Sequence, residues 1–167
     1  MIKKIRKECE NYNSDIQRFQ NSEEKYYESI RVNEVSIDKY KSENHPALGE
    51  CHSTITFYYY AEGVINEGEE TLFKVERVNY IAAHKEYYEY YFNANGQLFF
   101  YFESLEYADI EEVRLYFNDE KLIEHRENSS MVDEKDKGSS LSKSHLSNAL
   151  EVLEKTELLK TAMAHFY

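Results

Sequence analysis

Short runs of β-branched and aromatic residues, separated by turn signals, fill the middle of the sequence from about residue 30 to residue 127. Such runs favour pleated strands, and the short gaps between them favour antiparallel pairing of neighbours. The pattern predicts strands at 51–60, 71–82, 86–93, 97–103, 112–118 and 121–126. Residues 30–40 break the alternation, which fits either a bulged edge strand or an extended lead-in.

The turn from Asn93 to Gln97 is the strongest local signal. A two-residue Asn-Gly loop would leave both faces of the hairpin mixed, whereas a three-residue loop with Gly96 in the left-handed conformation pairs Phe92 with Leu98 and separates the faces. The predicted core face carries Tyr88, Tyr90, Phe92, Leu98, Phe100 and Phe102. The predicted amphipathic face carries Tyr87, Glu89, Tyr91, Phe99, Tyr101 and Glu103. In the following strand, the residues expected inward are Val113, Leu115 and Phe117, and those expected outward are Arg114 and Tyr116.

Helical periodicity marks both ends of the chain. Apolar residues at spacings of three and four predict a helix over residues 2–27, and the stripe is Ile2, Ile5, Cys9, Tyr12, Ile16 and Phe19. This apolar stripe is shorter than the seam of a typical coiled coil, so we expect the helix to pack on a sheet instead. A second helix is predicted over 143–165, after a polar stretch that reads as a flexible linker.

These elements together predict one α+β domain spanning residues 1–167. Its antiparallel β-meander has five to six strands, and an N-terminal and a C-terminal helix pack on the sheet. The predicted parts are the N-terminal helix at 1–29, the sheet at 30–127, the linker at 128–142 and the C-terminal helix at 143–167.

The charge balance limits the classes of partner. The formal net charge is −12, and residues 30–127 account for 11 of those negative charges. Nucleic acids and anionic membrane surfaces are therefore poor partners, whereas a basic protein would be attracted. No run of about 20 apolar residues predicts a membrane-spanning helix. The basic start is followed by Glu8 and Glu10 rather than an apolar signal segment, so we expect a cytoplasmic protein, or an exported or periplasmic one if a signal peptide has been removed.

Catalytic and cofactor motifs are missing from the sequence. Five glycines form none of the phosphate-binding or nucleophile-elbow patterns, and six histidines form no zinc pattern with the two cysteines. We expect no cofactor, no metal and free thiols at Cys9 and Cys51. Glu89 and Glu103 are predicted to share a face near Arg114, which fits a surface ion-pair cluster better than the Glu-based site of a hydrolase.

Tyrosine is the unusual residue of this sequence. Of 16 tyrosines, 11 lie between Tyr58 and Tyr116. Tyrosine rings are enriched in protein interfaces, so an exposed tyrosine face would suit partner binding, and a face covered by a terminal helix is the equal alternative. The residues predicted to contact a partner are Tyr58, Tyr60, Tyr87, Glu89, Tyr91, Tyr101, Glu103, Arg114 and Tyr116.

The stretch from Glu89 to Phe102, continued by residues 112–117 and 121–123, resembles a pattern of small uncharacterised bacterial α+β proteins, often exported, with an aromatic-rich antiparallel meander. The resemblance implies a meander and carries no activity or site residues.

Three functions remain open. The leading hypothesis is a non-enzymatic domain that docks a basic protein through the acidic tyrosine face, as an inhibitor or immunity-type protein would. The second is a module that binds a small molecule or a cell-envelope ligand between the sheet and a terminal helix. The third is a hydrolase. No sequence signal indicates an oligomeric state.

Overall fold

Eight antiparallel strands form one sheet, in which each strand lies beside the next one along the chain. The computed structural model describes residues 1–22, 30–40, 51–61, 70–81, 84–106, 111–119, 121–128, 130–132 and 147, and the strand count refers to these residues. The strands are β1 Ile30–Tyr40, β2 Cys51–Ala61, β3 Glu70–Ile81, β4 His84–Phe92, β5 Leu98–Leu105, β6 Glu112–Asn118, β7 Lys121–Glu127 and β8 Ser130–Met131. The chain divides into two compact units, Met1–Ser130 and Met131–Tyr167.

The antiparallel meander is confirmed, but the described residues form eight strands and one helix, where five to six strands and two helices were predicted. Residues 30–40 are the bulged strand of the two alternatives, with a register shift between Asp38 and Tyr40. Residues 130–131, placed in the predicted linker, form β8. Residues 133–142 of that linker and the predicted C-terminal helix lie outside the described residues, apart from Ser147, whose backbone is helical.

One helix, α1 (Ile2–Asn21), packs on the sheet with its apolar stripe inward. Ile5, Cys9 and Ile16 are buried, because residues spaced three and four apart share one side of a helix. The predicted end at residue 27 was too late: the helix ends at Asn21, and Ser22 is already extended. No helix among the described residues has the length and apolar character needed to cross a lipid bilayer.

The side of the sheet that α1 contacts is called here the helix face, and it carries Tyr58, Lys74, Tyr91, Phe100 and Tyr116. The opposite side, the far face, is buried as well. Its central residues are Phe57, Val75, Tyr90, Tyr101, Leu115 and His125. Both faces of a strand thus need apolar residues, which explains why the sequence has aromatic runs instead of a simple alternation.

Three β-bulges lie in alternate strands on the side of α1. Each inserts one residue that has no partner in the neighbouring strand: Phe73 in β3, Phe99 in β5 and Ile123 in β7. A bulge places two consecutive side chains on one face of a strand. All three extra residues pack in the clusters that contain α1.

The β4–β5 turn shows one success and one error of the sequence reasoning. Gly96 has a φ of 75°, and Phe92 pairs with Leu98, as predicted. Beyond Phe99 the register was wrong by one residue, because the bulge pairs Tyr91 with Phe100 and Tyr90 with Tyr101. The predicted faces are therefore mixed: Phe100 and Phe102 join Tyr91 and Glu89 on the helix face, and Tyr101 and Glu103 lie on the far face.

Candidate functional site

The residues predicted to form one partner-binding face are divided between the two sides of the sheet. Those on the helix face are Tyr58, Tyr60, Tyr87, Glu89, Tyr91, Arg114 and Tyr116, and those on the far face are Tyr101 and Glu103. The error follows from the Phe99 bulge, which reverses the direction of every later side chain in β5.

Burial also separates these residues. Tyr58, Tyr91 and Tyr116 belong to the clusters beneath α1, and Tyr91 has only 1% of its surface exposed. Tyr101 has none exposed and donates a hydrogen bond to Glu103 at 2.6 Å. Tyr60, Tyr87, Glu89 and Arg114 keep partial exposure. Tyr58, Tyr91, Tyr101 and Tyr116 are therefore core residues, and three of them lie beneath the N-terminal helix α1.

Glu89 and Glu103 do not form a carboxylate pair. They point to opposite faces of the sheet, so they cannot act on one substrate as the acid and base of a hydrolase. Among the described residues, no group of three His, Cys, Asp or Glu side chains lies close enough together to hold a metal ion.

A buried lysine organises the first polar group on the helix face. The Nζ of Lys74, a residue only 3% exposed, contacts Glu76 at 2.6 Å and Glu89 at 2.7 Å. It also donates a hydrogen bond to Asn13 of α1 at 2.8 Å. An ammonium group has three donors, so these contacts satisfy the buried charge. We call Asn13, Lys74, Glu76, Glu89 and the tyrosines around them the Lys74 cluster.

Tyrosine hydroxyls complete the Lys74 cluster. Tyr58 donates to Glu76 at 3.1 Å, Tyr87 donates to Glu89 at 2.9 Å, and Tyr91 donates to Asn13 at 3.0 Å. Burial, with the nearby glutamates, raises the pKa of all three hydroxyls above the ordinary tyrosine value. The rings are therefore neutral hydrogen-bond donors over the whole neutral pH range.

The second polar group surrounds a pocket of about 460 Å³ between α1 and strands β5 to β7. Three of its lining residues are arginines, one on each of three elements: Arg6 on α1, Arg114 on β6 and Arg126 on β7. The other lining residues are Cys9, Glu10, Phe100 and Tyr116. We call this site the arginine pocket. It is unexpected in a chain with a net charge of −12.

The two strand arginines lie directly opposite each other. Arg114 pairs with Arg126 in the β6–β7 register, and both side chains are on the helix face. Directly opposed residues have Cβ atoms about 5 Å apart, so two like charges there repel. Each arginine is held by the glutamate two residues before it: Glu112 contacts Arg114 at 2.7 Å, and Glu124 contacts Arg126 at 2.5 Å.

Arg6 approaches the pocket from the helix. Its Nε donates a hydrogen bond to the Tyr116 hydroxyl at 3.1 Å, and its guanidinium lies 5.6 Å from the centre of that ring. Arg6 and Glu10 are one turn apart on α1, so they share the side of the helix that borders the pocket. Burial, followed by the charges of Glu89 and Glu8, raises the pKa of the Cys9 thiol, which makes this residue an unreactive part of the wall.

Sequence reasoning singled out Arg114 but missed Arg6, Arg126 and Lys74. One signal was available: the pattern Glu-x-Arg occurs at 112–114 and again at 124–126, in strands joined by a short turn. Antiparallel pairing can bring such arginines together, but only the register determines whether it does. Lys74 was visible as a charge within the apolar run 72–75.

No family model, curated protein or solved structure matches this chain. The resemblance to bacterial proteins with aromatic meanders stays an expectation.

Proposed function

We propose that the protein is a non-enzymatic binding module that holds a small ligand with an anionic group in the arginine pocket. The observation that carries this proposal is the pair of opposed arginines, Arg114 and Arg126, which faces an open space of about 460 Å³. This volume lies within the roughly 300–1,000 Å³ typical of small-molecule sites. The proposal develops the second of the sequence hypotheses, a ligand between the sheet and a terminal helix.

Physical chemistry favours an anion at this position. A carboxylate or phosphate oxygen between two guanidinium groups would accept charge-assisted hydrogen bonds from both and would relieve their mutual repulsion. Arg114 and Arg126 keep 27% and 28% of their side-chain surface exposed, so a ligand can reach them from solvent. Arg6 adds a third guanidinium on the helix side of the same space.

Isothermal titration calorimetry with small carboxylates and with inorganic phosphate tests the proposal. We expect the Arg114→Gln and Arg126→Gln variants to weaken anion binding by about tenfold or more, because each loses a charge-assisted hydrogen bond. Arg31→Gln is the matched control: Arg31 forms an ion pair with Glu70, and Arg31 does not line the pocket. Equal binding by all three variants and the natural chain would refute the proposal.

Docking of a basic protein is the second candidate, and the part of the helix face beyond α1 favours it. Tyr80 is exposed there, and Tyr87 on the neighbouring strand β4 is partly exposed. Long-range attraction by the acidic sheet would speed association, so raising the salt concentration from about 0.05 to 0.5 M should slow the on-rate about tenfold. The docking of a basic protein would be excluded if the captured partner is acidic, or if its association rate does not depend on the salt concentration.

A further inference from the structure

We infer that the ligand of the arginine pocket is an organic monocarboxylate with an apolar, preferably aromatic, body. This inference rests on the proposed function and specifies its ligand class. Three properties of the site support it: the shape of the donor groups, the apolar wall beside them and the charge balance around them.

The donor groups suit a carboxylate. A guanidinium is planar and offers N–H groups in a fixed fork, which matches the two oxygens of a carboxylate. Glu124 contacts Arg126 at Nε, and Glu112 contacts Arg114 at one terminal nitrogen, Nη2. Each guanidinium has five N–H donors in total. Donors therefore remain on both arginines for the two oxygens of one ligand carboxylate.

The wall beside the arginines is apolar. Phe100, Tyr116 and Cys9 line the pocket, and all three side chains are buried. Arg6 donates a hydrogen bond to the Tyr116 hydroxyl, and its guanidinium lies 5.6 Å from the centre of that ring, so a cation borders this wall. Phe100 and Tyr116 form an aromatic pair with ring centres 4.9 Å apart. An apolar ligand body placed against this wall would have its own surface removed from water, a gain that an inorganic anion lacks.

The charge balance disfavours a dianion. Arg6, Arg114 and Arg126 face Glu10, Glu112 and Glu124, so the pocket and its immediate partners are close to neutral before a ligand binds. One negative charge is stabilised by directed hydrogen bonds, but a second would meet the field of a chain with a net charge of −12. A monocarboxylate should therefore bind better than phosphate.

A set of four probes tests this ligand class on the full chain, by calorimetry and by ligand-observed NMR. The probes are 3-phenylpropionate, its neutral amide, acetate and inorganic phosphate. We expect 3-phenylpropionate to bind at least about tenfold more tightly than each of the others, because only it combines the carboxylate with an aromatic body. Arg126→Gln should remove most of that advantage and Arg126→Lys part of it, since lysine keeps the charge without the fork. Arg31→Gln should change nothing.

The possible failures are distinguishable. Phosphate or acetate binding as tightly as 3-phenylpropionate, in a manner that depends on Arg126, would overturn the ligand class and leave the proposed function intact. Equal binding of the acid and its amide would also overturn the ligand class, because the carboxylate would then contribute nothing. No Arg126-dependent binding of any probe at millimolar concentration would overturn both.

Discussion

The Lys74 cluster and the arginine pocket lie on the same face of the sheet and border the same helix, yet they use positive charge differently. Lys74 is buried, and its contacts with Glu76, Glu89 and Asn13 match its three donors. Arg114 and Arg126 keep about a quarter of their side-chain surface exposed and line an open pocket. A buried charge with all its partners supports the fold, whereas an exposed one with remaining donors can serve a ligand.

This difference also separates the two roles of α1. Asn13 connects the helix to Lys74 and to Tyr91, so the cluster fixes the helix on the sheet. One to two turns earlier, Arg6, Cys9 and Glu10 supply one side of the pocket. The stability of the cluster should therefore be a precondition for the pocket, and variants of the two regions should differ in the property that they change.

Replacing Lys74 should have the largest effect on stability. Lys74→Met leaves Glu76 and Glu89 close together without their cation, which should lower the free energy of unfolding by about 3–4 kcal/mol in urea denaturation. Adding Glu76→Gln and Glu89→Gln to this variant should restore part of the loss. Lys121→Met, at an exposed lysine, is the matched control. A loss as small as that of the control would mean that the cluster is not a support of the fold.

Alkaline pH should weaken the Lys74 cluster before it affects the arginines. Tyr58 and Tyr91 are buried, and burial raises the pKa of both hydroxyls above the unfolded value of about 10. The unfolded chain then loses protons that the folded chain retains. The contribution of each tyrosine to the free energy of unfolding is therefore fully present below about pH 10. Above that pH the contribution falls, and at pH 11 the loss is about 1.4 kcal/mol for each tyrosine.

Circular dichroism and tyrosinate absorbance measured together check this pH dependence. We expect the buried tyrosines to ionise only as the sheet signal is lost, and Tyr91→Phe to reduce the steepness of the transition. Full ionisation of all tyrosines near pH 10 with the sheet signal intact would contradict the burial of these rings.

A change at Gly96 should lower stability without touching either region. Gly96 has a φ of 75°, and an added Cβ would meet no atom within 4 Å, so the cost is backbone strain alone. We expect Gly96→Val to lower the free energy of unfolding by about 1–2 kcal/mol, and Gly96→Asn by less, since asparagine tolerates this conformation better. Ligand affinity should stay unchanged in the folded variant. An unaltered melting temperature for Gly96→Val would contradict the left-handed turn.

The smallest effect on stability is expected at Arg126. Arg126→Gln loses the contact with Glu124 but also removes repulsion from Arg114, so the free energy of unfolding should change by less than about 0.5 kcal/mol. The same variant should lose anion affinity. A large loss of stability would mean that Arg126 supports the fold as Lys74 does. The proposed difference between the two regions would then be wrong.

The strands were predictable from the sequence because their signals are local. Turn residues and runs of β-branched and aromatic residues placed β2 to β7 within a few residues of their observed ends. The left-handed conformation of Gly96 was likewise predictable, because a three-residue loop needs a left-handed residue at that position.

The candidate site was not predictable to the same degree, since it depends on register. The bulge at Phe99 exists because that side chain packs beneath α1, a contact between residues far apart in sequence. Without this bulge, Glu89, Glu103 and six of the tyrosines were assigned to one face of the sheet. Arg114 could be singled out, but its pairing with Arg126 follows only once the β6–β7 register is known.

The row of bulges gives the sheet a means of rejecting incorrect pairings. In a sheet with two apolar faces, a strand that slips by one residue still buries apolar side chains, so burial alone discriminates poorly between registers. Phe73, Phe99 and Ile123 change this, because a slip in β3, β5 or β7 would turn the extra residue away from α1. Contact with α1 therefore favours the observed register of β3, β5 and β7 over a register shifted by one residue.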